Sequence, residues 1–218
     1  MTDTLLIQKA IEEIDTKSFG VTEQFLKIHE VIYEENKPKI ARVDTEKNDG
    51  TAIVYFPVKD QEFYMAVYLD TQPDISVRSI YIEPYHCVSF KASSKTLPLG
   101  QLAEFTTLKT RGGWNKGDKM KSGNATYKDS LLVIEPNPEV DEFDDKMNKL
   151  LNYLEQDPEG INKLVDSAGG YIQVASIFHN GNTMLGGNHL NKEMIRRMSN
   201  LNLAIDFDLY AKGEFYTD

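Results

Sequence analysis

Three strand-like runs in the first half of the chain constrain its fold more than any other feature. They are TAIVYFPV from residue 51, EFYMAVYLD from residue 62 and SVRSIYIEPYHCVSFKAS from residue 76. Valine, isoleucine, tyrosine and phenylalanine dominate each run, and these residues favour strands. Lys-Asp and Gln-Pro-Asp turn signals separate the runs. The pattern predicts an antiparallel meander of three strands.

The second half of the chain alternates strands with helices. Asn137 and Asp157 each precede a proline and an apolar stripe at helical spacing, which predicts two helices that begin at these caps. Asn191 is the predicted cap of a third helix. Apolar and polar residues then alternate over residues 203–210, as in a half-buried antiparallel strand.

These elements indicate an α+β fold, mainly antiparallel sheets with helices packed on one face. A stretch of serine, lysine, proline and glycine at residues 93–100 is a candidate boundary. It divides the chain into an N-terminal α+β region with the meander, residues 1–100, and an α+β domain, residues 101–218. One continuous domain is the alternative.

The formal net charge of −10 limits the partners that this chain can bind. A surface of this sign repels nucleic acid and anionic membranes at long range, so a basic protein is the expected partner class. Residues 1–14 lack the basic and apolar segments of an export signal, and one cysteine, Cys87, allows no internal disulfide. We therefore expect a cytoplasmic protein without a cofactor.

The stretch RGGWNKGD, from Arg111 to Asp118, is the first candidate site. A phosphate-binding P-loop requires GxxxxGK[ST] before a helix, and neither that spacing nor an apolar helix follows here. The glycines therefore favour a turn, in which Asp118 hydrogen-bonds to the backbone and Trp114 packs into the core or a domain junction. The alternative is a basic contact surface, which would include Lys116 and an exposed Trp114.

Two further groups of polar residues are candidates. His179 and His189 flank a glycine-rich loop, but their spacing matches no metal motif, and we expect no metal site. Asp206, Asp208 and Tyr210 share one face of the last predicted strand, where paired carboxylates could perform acid-base chemistry. A solvated polar face of the sheet is the simpler interpretation.

Charge is unevenly distributed along the second half. Residues 109–128 contain six basic residues and one acid, whereas residues 135–159 contain nine acids and two lysines. The simplest expectation is that the two segments neutralise each other in the fold, with the acids at the start of the first predicted helix on a solvated face.

Several of these features together resemble one family. Trp114, Gly117 and Asp118, then the turn at Gly169 and Gly170, then the sequence DFDLY from Asp206 are similar to the bacterial domain of unknown function 4279. The resemblance covers about residues 102–213. It implies no established activity, and no catalytic residue is carried over from it.

Two hypotheses for function follow. The first is a non-catalytic interaction module, such as an immunity protein that neutralises a basic toxin domain by charge and shape. The second is a small-ligand binder or an enzyme that uses Asp206, Asp208 and Tyr210 with His179 or His189, which requires these residues to share a pocket. Nucleic-acid binding ranks third, since only residues 109–128 support it.

Overall fold

The computed structural model describes residues 3–121, 123–181 and 185–216. The helices are α1 (Asp3–Thr16), α2 (Gly20–Ile28), α3 (Leu99–Ala103), α4 (Phe143–Leu154), α5 (Pro158–Ala168) and α6 (Lys192–Asn200). The strands are β1 (Tyr33–Glu34), β2 (Lys37–Pro38), β3 (Arg42–Asp44), β4 (Thr51–Pro57), β5 (Tyr64–Asp70), β6 (Ser76–Glu83), β7 (Tyr85–Ser94), β8 (Gly112–Trp114), β9 (Ser130–Ile134), β10 (Tyr171–His179) and β11 (Ala204–Lys212). No helix in these ranges is both long and apolar enough to cross a membrane.

The first large sheet has the order β3-β4-β5-β6 and is antiparallel throughout. Helices α1 and α2 cover one face, where Leu6 and Phe25 pack against Val54 and Phe56 of β4. The opposite face of β4 is also buried, because it packs against Val140 of the second half of the chain. Burial on both faces explains why β4 is a continuous apolar run.

The second large sheet has the order β11-β10-β7-β9-β8. Helices α3, α4, α5 and α6 pack on one face, over a core that includes Phe90, Leu132 and Val174. Four strand pairs make up this sheet, and three of them are antiparallel. The predicted α+β class, with antiparallel sheets and helices on one face, is therefore confirmed.

The third predicted run is two strands in different sheets. β6 ends at Glu83, and β7 begins at Tyr85 and pairs with β10 and β9. Pro84, which has no N–H to donate to a ladder, separates them. Strand propensity is equally high on both sides of this proline, so the sequence pattern did not reveal the change of sheet.

The last strand differs from its prediction in direction and burial. β11 pairs with β10 in parallel, because α6 carries the chain back across the helix layer. It lies at the edge of the sheet, where Phe207, Leu209 and Tyr210 are 39%, 57% and 53% exposed. Alternation correctly indicates a strand here, but it carries no information about strand direction.

The helix predicted to begin after Asn137 begins at Phe143 instead. The buried side chain of Lys146 donates hydrogen bonds to the carbonyl groups of Asn137 and Glu139, so the chain before α4 wraps around this lysine. Burial lowers the pKa of Lys146 to about 8.

Ion pairs join the two large sheets. Arg42 of β3 has its Nη1 atom 2.8 Å from Asp141 Oδ2, and the exposed fractions of these side chains are 11% and 0%. Lys149 of α4 lies 2.9 Å from the same carboxylate. Lys47 pairs with both Glu142 and Asp145. Charges buried in this way must remain paired, because an unpaired partner would lack both water and a counter-ion.

We therefore expect Arg42→Ala to lower the free energy of unfolding by about 3 kcal/mol, because it leaves a buried carboxylate short of one partner. Urea unfolding followed by circular dichroism measures this change. Lys59→Ala is the matched control, since Lys59 and its partner Glu30 are 59% and 71% exposed, and it should have no measurable effect. Equal effects of the two substitutions would contradict a structural role for the buried pair.

Candidate functional site

Side chains of the second sheet that point away from α3–α6 form a surface that we call the open face. The register shows its members, because cross-strand partners lie on the same side of a sheet. The open face includes Cys87, Ser89 and Lys91 of β7, Trp114 of β8, Val133 of β9, Gln173 of β10, and Asp206, Asp208 and Tyr210 of β11.

One border of the open face is the exposed edge strand β11. Asp206 and Asp208 lie on the open face, whereas Phe207 and Leu209 lie on the side of the helices. Gln173 of β10 donates a hydrogen bond of 3.1 Å to Asp208 Oδ2. No other strand of the described chain pairs with the outer edge of β11. This edge therefore offers unpaired backbone groups with two carboxylates and exposed apolar side chains.

The opposite border carries Trp114. Its ring is half-buried and stacks on Tyr127, with the ring centroids 4.2 Å apart and the planes 17° from parallel. The indole does not join the core beneath the helices, so the prediction that it packs into the core or a domain junction is wrong. The reason is the alternation of β8. The side-chain position of Gly113 faces Leu99 of α3, so the next residue, Trp114, faces the open face.

Lys116 and Asp118 lie in the turn that follows. Asp118 accepts a hydrogen bond of 2.7 Å from the backbone N–H of Asn115, and Gly117 adopts the positive φ of 91° that this turn requires. The exposed side chain of Lys116 donates to the carbonyl of Lys95 over 3.1 Å. Both side chains thus stabilise the loop.

The two histidines lie apart from each other. His179 is 1% exposed, and its Nε2 atom lies 3.0 Å from Nε2 of His29, among the rings of Phe25 and Phe63. Burial, followed by the neighbouring His29, lowers the pKa of His179 to about 4. His189 is exposed in the loop before α6.

The predicted residues do not converge in one pocket. Asp206, Asp208 and Tyr210 lie together on β11. His179 lies opposite Lys212, four residues along β11 from Asp208, which corresponds to roughly 13 Å. Trp114 is at the other edge of a five-stranded sheet, roughly 19 Å away by strand spacing.

A carboxyl pair between the sheets was missed by the sequence analysis. The hydroxyl of Tyr68 donates to Glu142 Oε1 over 3.0 Å and lies 3.3 Å from Glu83 Oε2, beside a cavity of about 470 Å³. Burial, followed by the charge of Glu142, raises the pKa of Glu83 to about 7. Sequence carried no signal for this group, because Glu83 ends β6 whereas Glu142 directly precedes α4, and the two meet only in the folded chain.

Three carboxylates come close enough to hold a cation. Ligand oxygen atoms of Asp44, Asp141 and Asp145 lie within 4.8 Å of one another. The side chains of Arg42, Lys47 and Lys149 already pair with them. A divalent ion would have to displace these cations, so the cluster is a set of ion pairs.

The expected neutralisation between residues 109–128 and 135–159 is wrong. In the described ranges, the ion pair between Arg111 and Glu135 is the one that joins the two segments. Other acids of residues 135–159 pair elsewhere, with Arg42, Lys47, Lys149 and Arg197. Of the acids near the start of α4, Asp141, Glu142 and Asp145 therefore form ion pairs within the fold, whereas Glu139 and Asp144 are exposed, as expected of a solvated face.

Comparison with known families extends the resemblance seen in the sequence. The sequence model of the family described as a domain of unknown function (DUF4279) matches residues 83–212. This range contains the whole second sheet, β7–β11, with helices α3–α6. It confirms the resemblance and begins before the expected residue 102, because β7 belongs to this sheet. No curated protein and no solved structure matches the chain.

The raised pKa of Glu83 predicts a specific pH dependence of stability. Between the ordinary value of 4.5 and about 7, the folded chain keeps the proton that the unfolded chain loses. The stabilisation that Glu83 contributes is fully present below pH 4.5 and is lost as the pH rises through about 7. Glu83→Gln should remove this loss, which amounts to up to about 3 kcal/mol.

Urea unfolding of both proteins between pH 4.5 and 8 measures this effect. The lowered pKa values of His29, His86 and His179 act in the opposite direction at acidic pH, but they are common to both proteins and cancel in the difference. A difference in unfolding free energy that does not change with pH would contradict a proton held on Glu83.

Proposed function

The chain belongs to the family of the domain of unknown function DUF4279, and we propose that it is a non-catalytic interaction module that binds a basic protein. The single observation that carries this proposal is the edge strand β11. It combines a backbone edge that no strand of the described ranges pairs with, two exposed carboxylates and exposed apolar side chains. The acids of residues 135–159 do not carry it, because most of them form ion pairs within the chain.

The backbone of β11 favours a partner that adds a strand. Monomeric proteins usually protect their sheet edges with short strands, bulges, prolines or covering loops. β11 is nine residues long and contains no proline, and eight of the nine are exposed. An extended segment of a partner would form main-chain hydrogen bonds along this edge, as in other cases of strand addition.

The side chains of β11 define the chemistry of that segment. Cross-strand neighbours on one face lie within contact distance, so basic residues of the partner would meet Asp206 and Asp208. On the other face, apolar residues would pack on Phe207 and Leu209. The best partner segment therefore alternates basic and apolar residues.

The charge of the whole chain supports the same partner class. A net charge of −10 accelerates the encounter with a basic protein and repels acidic competitors. An immunity protein of the bacterial cytoplasm, which neutralises a basic toxin domain, is the specific role that we propose within this class. Protection of cells that express a basic toxin domain encoded beside this chain tests that role, and the absence of protection would contradict it.

The enzymatic alternative receives less support from the geometry. It requires His179 or His189 beside Asp206, Asp208 and Tyr210. The His179 ring lies against His29 in a buried aromatic cluster, and the carboxylates lie at an exposed edge. An exposed strand edge suits a contact with another protein better than it suits a reaction that needs water excluded.

The interaction edge is testable with a synthetic strand. A labelled nine-residue peptide of alternating lysine and valine should bind the chain at low salt, as measured by fluorescence anisotropy. The double substitution Asp206→Lys and Asp208→Lys should weaken binding about tenfold or more, because two attractive cross-strand pairs become repulsive.

The double substitution Glu159→Lys and Asp166→Lys is the matched control. Both residues are exposed on α5, and the change in net charge is the same. This variant should bind within about twofold of the parent chain. Equal weakening by both variants would mean that only net charge matters and would contradict a site on β11.

A second copy of the chain is the competing occupant of this edge. Sedimentation of the parent chain and of Leu209→Lys distinguishes the two cases. A dimer that dissociates on this substitution would assign β11 to self-association and would overturn the proposal of a basic partner. We expect the parent chain to sediment as a monomer.

A further inference from the structure

We propose that a groove beside Trp114 binds a small aromatic anion, meaning a planar ring that carries a carboxylate or a phosphate. The groove lies on the open face where β7, β9 and β8 meet, and its volume is about 460 Å³. We call it the Trp114 groove, and the residues that define it are Ser89, Lys91, Arg111, Trp114, Lys121 and Tyr127. It extends from the central strand β7 to the edge strand β8 and includes no residue of β10 or β11, so it does not depend on the proposed protein partner.

Aromatic and apolar side chains provide the surface for a ring. Trp114 and Tyr127 stack on each other and are both half-buried, so the pair forms an aromatic wall at the side of the groove. Leu131 and Val133 of β9 line it as well. A planar ligand that packs on this surface would bury apolar area without a change in the conformation of the protein.

Two lysines without ion-pair partners in the described ranges give the groove a preference for an anionic ligand. Lys91 and Lys121 line the groove, and neither has an ion-pair partner among the residues that the structure describes. Glu135, the acid of this groove, is paired with Arg111 and accepts a weak hydrogen bond from Cys87 Sγ over 3.5 Å. A local excess of positive charge in a chain of net charge −10 attracts an anion to this one place.

A buried hydroxyl group provides an independent sign of a ligand. Ser89 is 1% exposed and lines the groove, and its Oγ atom has no hydrogen-bond partner within the described ranges. Native proteins rarely leave such a group unsatisfied, because burial removes its water without replacement. An oxygen atom of a bound ligand would accept the hydrogen bond that Ser89 can donate.

The size of the groove favours a small molecule over a nucleic-acid strand. Its volume lies in the range typical of small-ligand pockets, which is roughly 300–1,000 Å³. A polyanionic strand that extended beyond the groove would meet the repulsion of the acidic chain. A ligand with one aromatic ring and one anionic group would contact both the aromatic surface and the lysines of the groove.

The test uses Trp114, the only tryptophan of the chain, as a built-in reporter. Adenosine monophosphate and phenylacetate are the two anionic probes, and adenosine and phenylacetamide are their uncharged counterparts. We expect saturable quenching or a shift of the Trp114 emission by at least one anion, with at least tenfold weaker binding of its counterpart. The two anions distinguish a phosphate site from a carboxylate site.

Substitutions then assign the binding to the groove. The double variant Lys91→Gln and Lys121→Gln should weaken binding of the anion at least tenfold. The double variant Lys119→Gln and Lys128→Gln is the matched control, since both lysines are exposed in the loop that contains Lys121 but do not line the groove. Its affinity for the anion should stay within twofold of that of the parent chain. Ser89→Ala should weaken binding while the melting temperature stays the same or rises, because no hydrogen bond of the free protein is lost.

Four results would overturn the proposal. These are the absence of binding by either anion, equal binding of the uncharged counterparts, equal weakening in the two lysine variants, and tighter binding of a single-stranded oligonucleotide than of both small anions. Isothermal titration calorimetry repeats the affinities without reliance on fluorescence.

Discussion

The buried ion pair between Arg42 and Asp141 holds the two sheets in their relative arrangement. Arg42 belongs to the edge strand of the first sheet, and Asp141 lies directly before α4, the helix that covers the core of the second. The attraction between these two buried charges offsets the cost of removing them from water only when the guanidinium and the carboxylate are in hydrogen-bonding contact, so the pair specifies how the sheets meet. Helices α3–α6 cover one side of the second sheet, and the other side forms the open face except near His179, which is buried against Phe25 of α2.

Because of these ion pairs, the charge along the sequence differs from the charge at the protein surface. Asp141, Glu142 and Asp145 are paired with Arg42, Lys47 and Lys149, so these acids contribute little to the outer surface. What remains on the open face is segregated. Lys91 of the central strand and Lys121 line the Trp114 groove, whereas Asp206 and Asp208 lie on the edge strand β11. One sheet therefore presents two regions of opposite charge, each suited to a different class of ligand.

Several candidate residues were predictable from sequence because their signals are local. The turn at Gly117 and Asp118 depends on residues within a few positions of each other, and the shared face of Asp206, Asp208 and Tyr210 follows from strand alternation. The contact of Tyr68 with Glu83 and Glu142, and that of His29 with His179, were not predictable. They join residues far apart in the chain, and no local propensity describes such pairs.

The sequence by itself determined the α+β class, the family, and the alternation that directs Asp206 and Asp208 to one side of β11. These properties follow from backbone periodicity and local hydrogen bonding. Only the tertiary structure decided that β11 runs parallel to β10 at an exposed edge, that Trp114 lies on the open face, and that Asp141 before α4 is buried in ion pairs. Those outcomes depend on which distant segments pack together, because burial and pairing are properties of the folded chain and not of its local pattern.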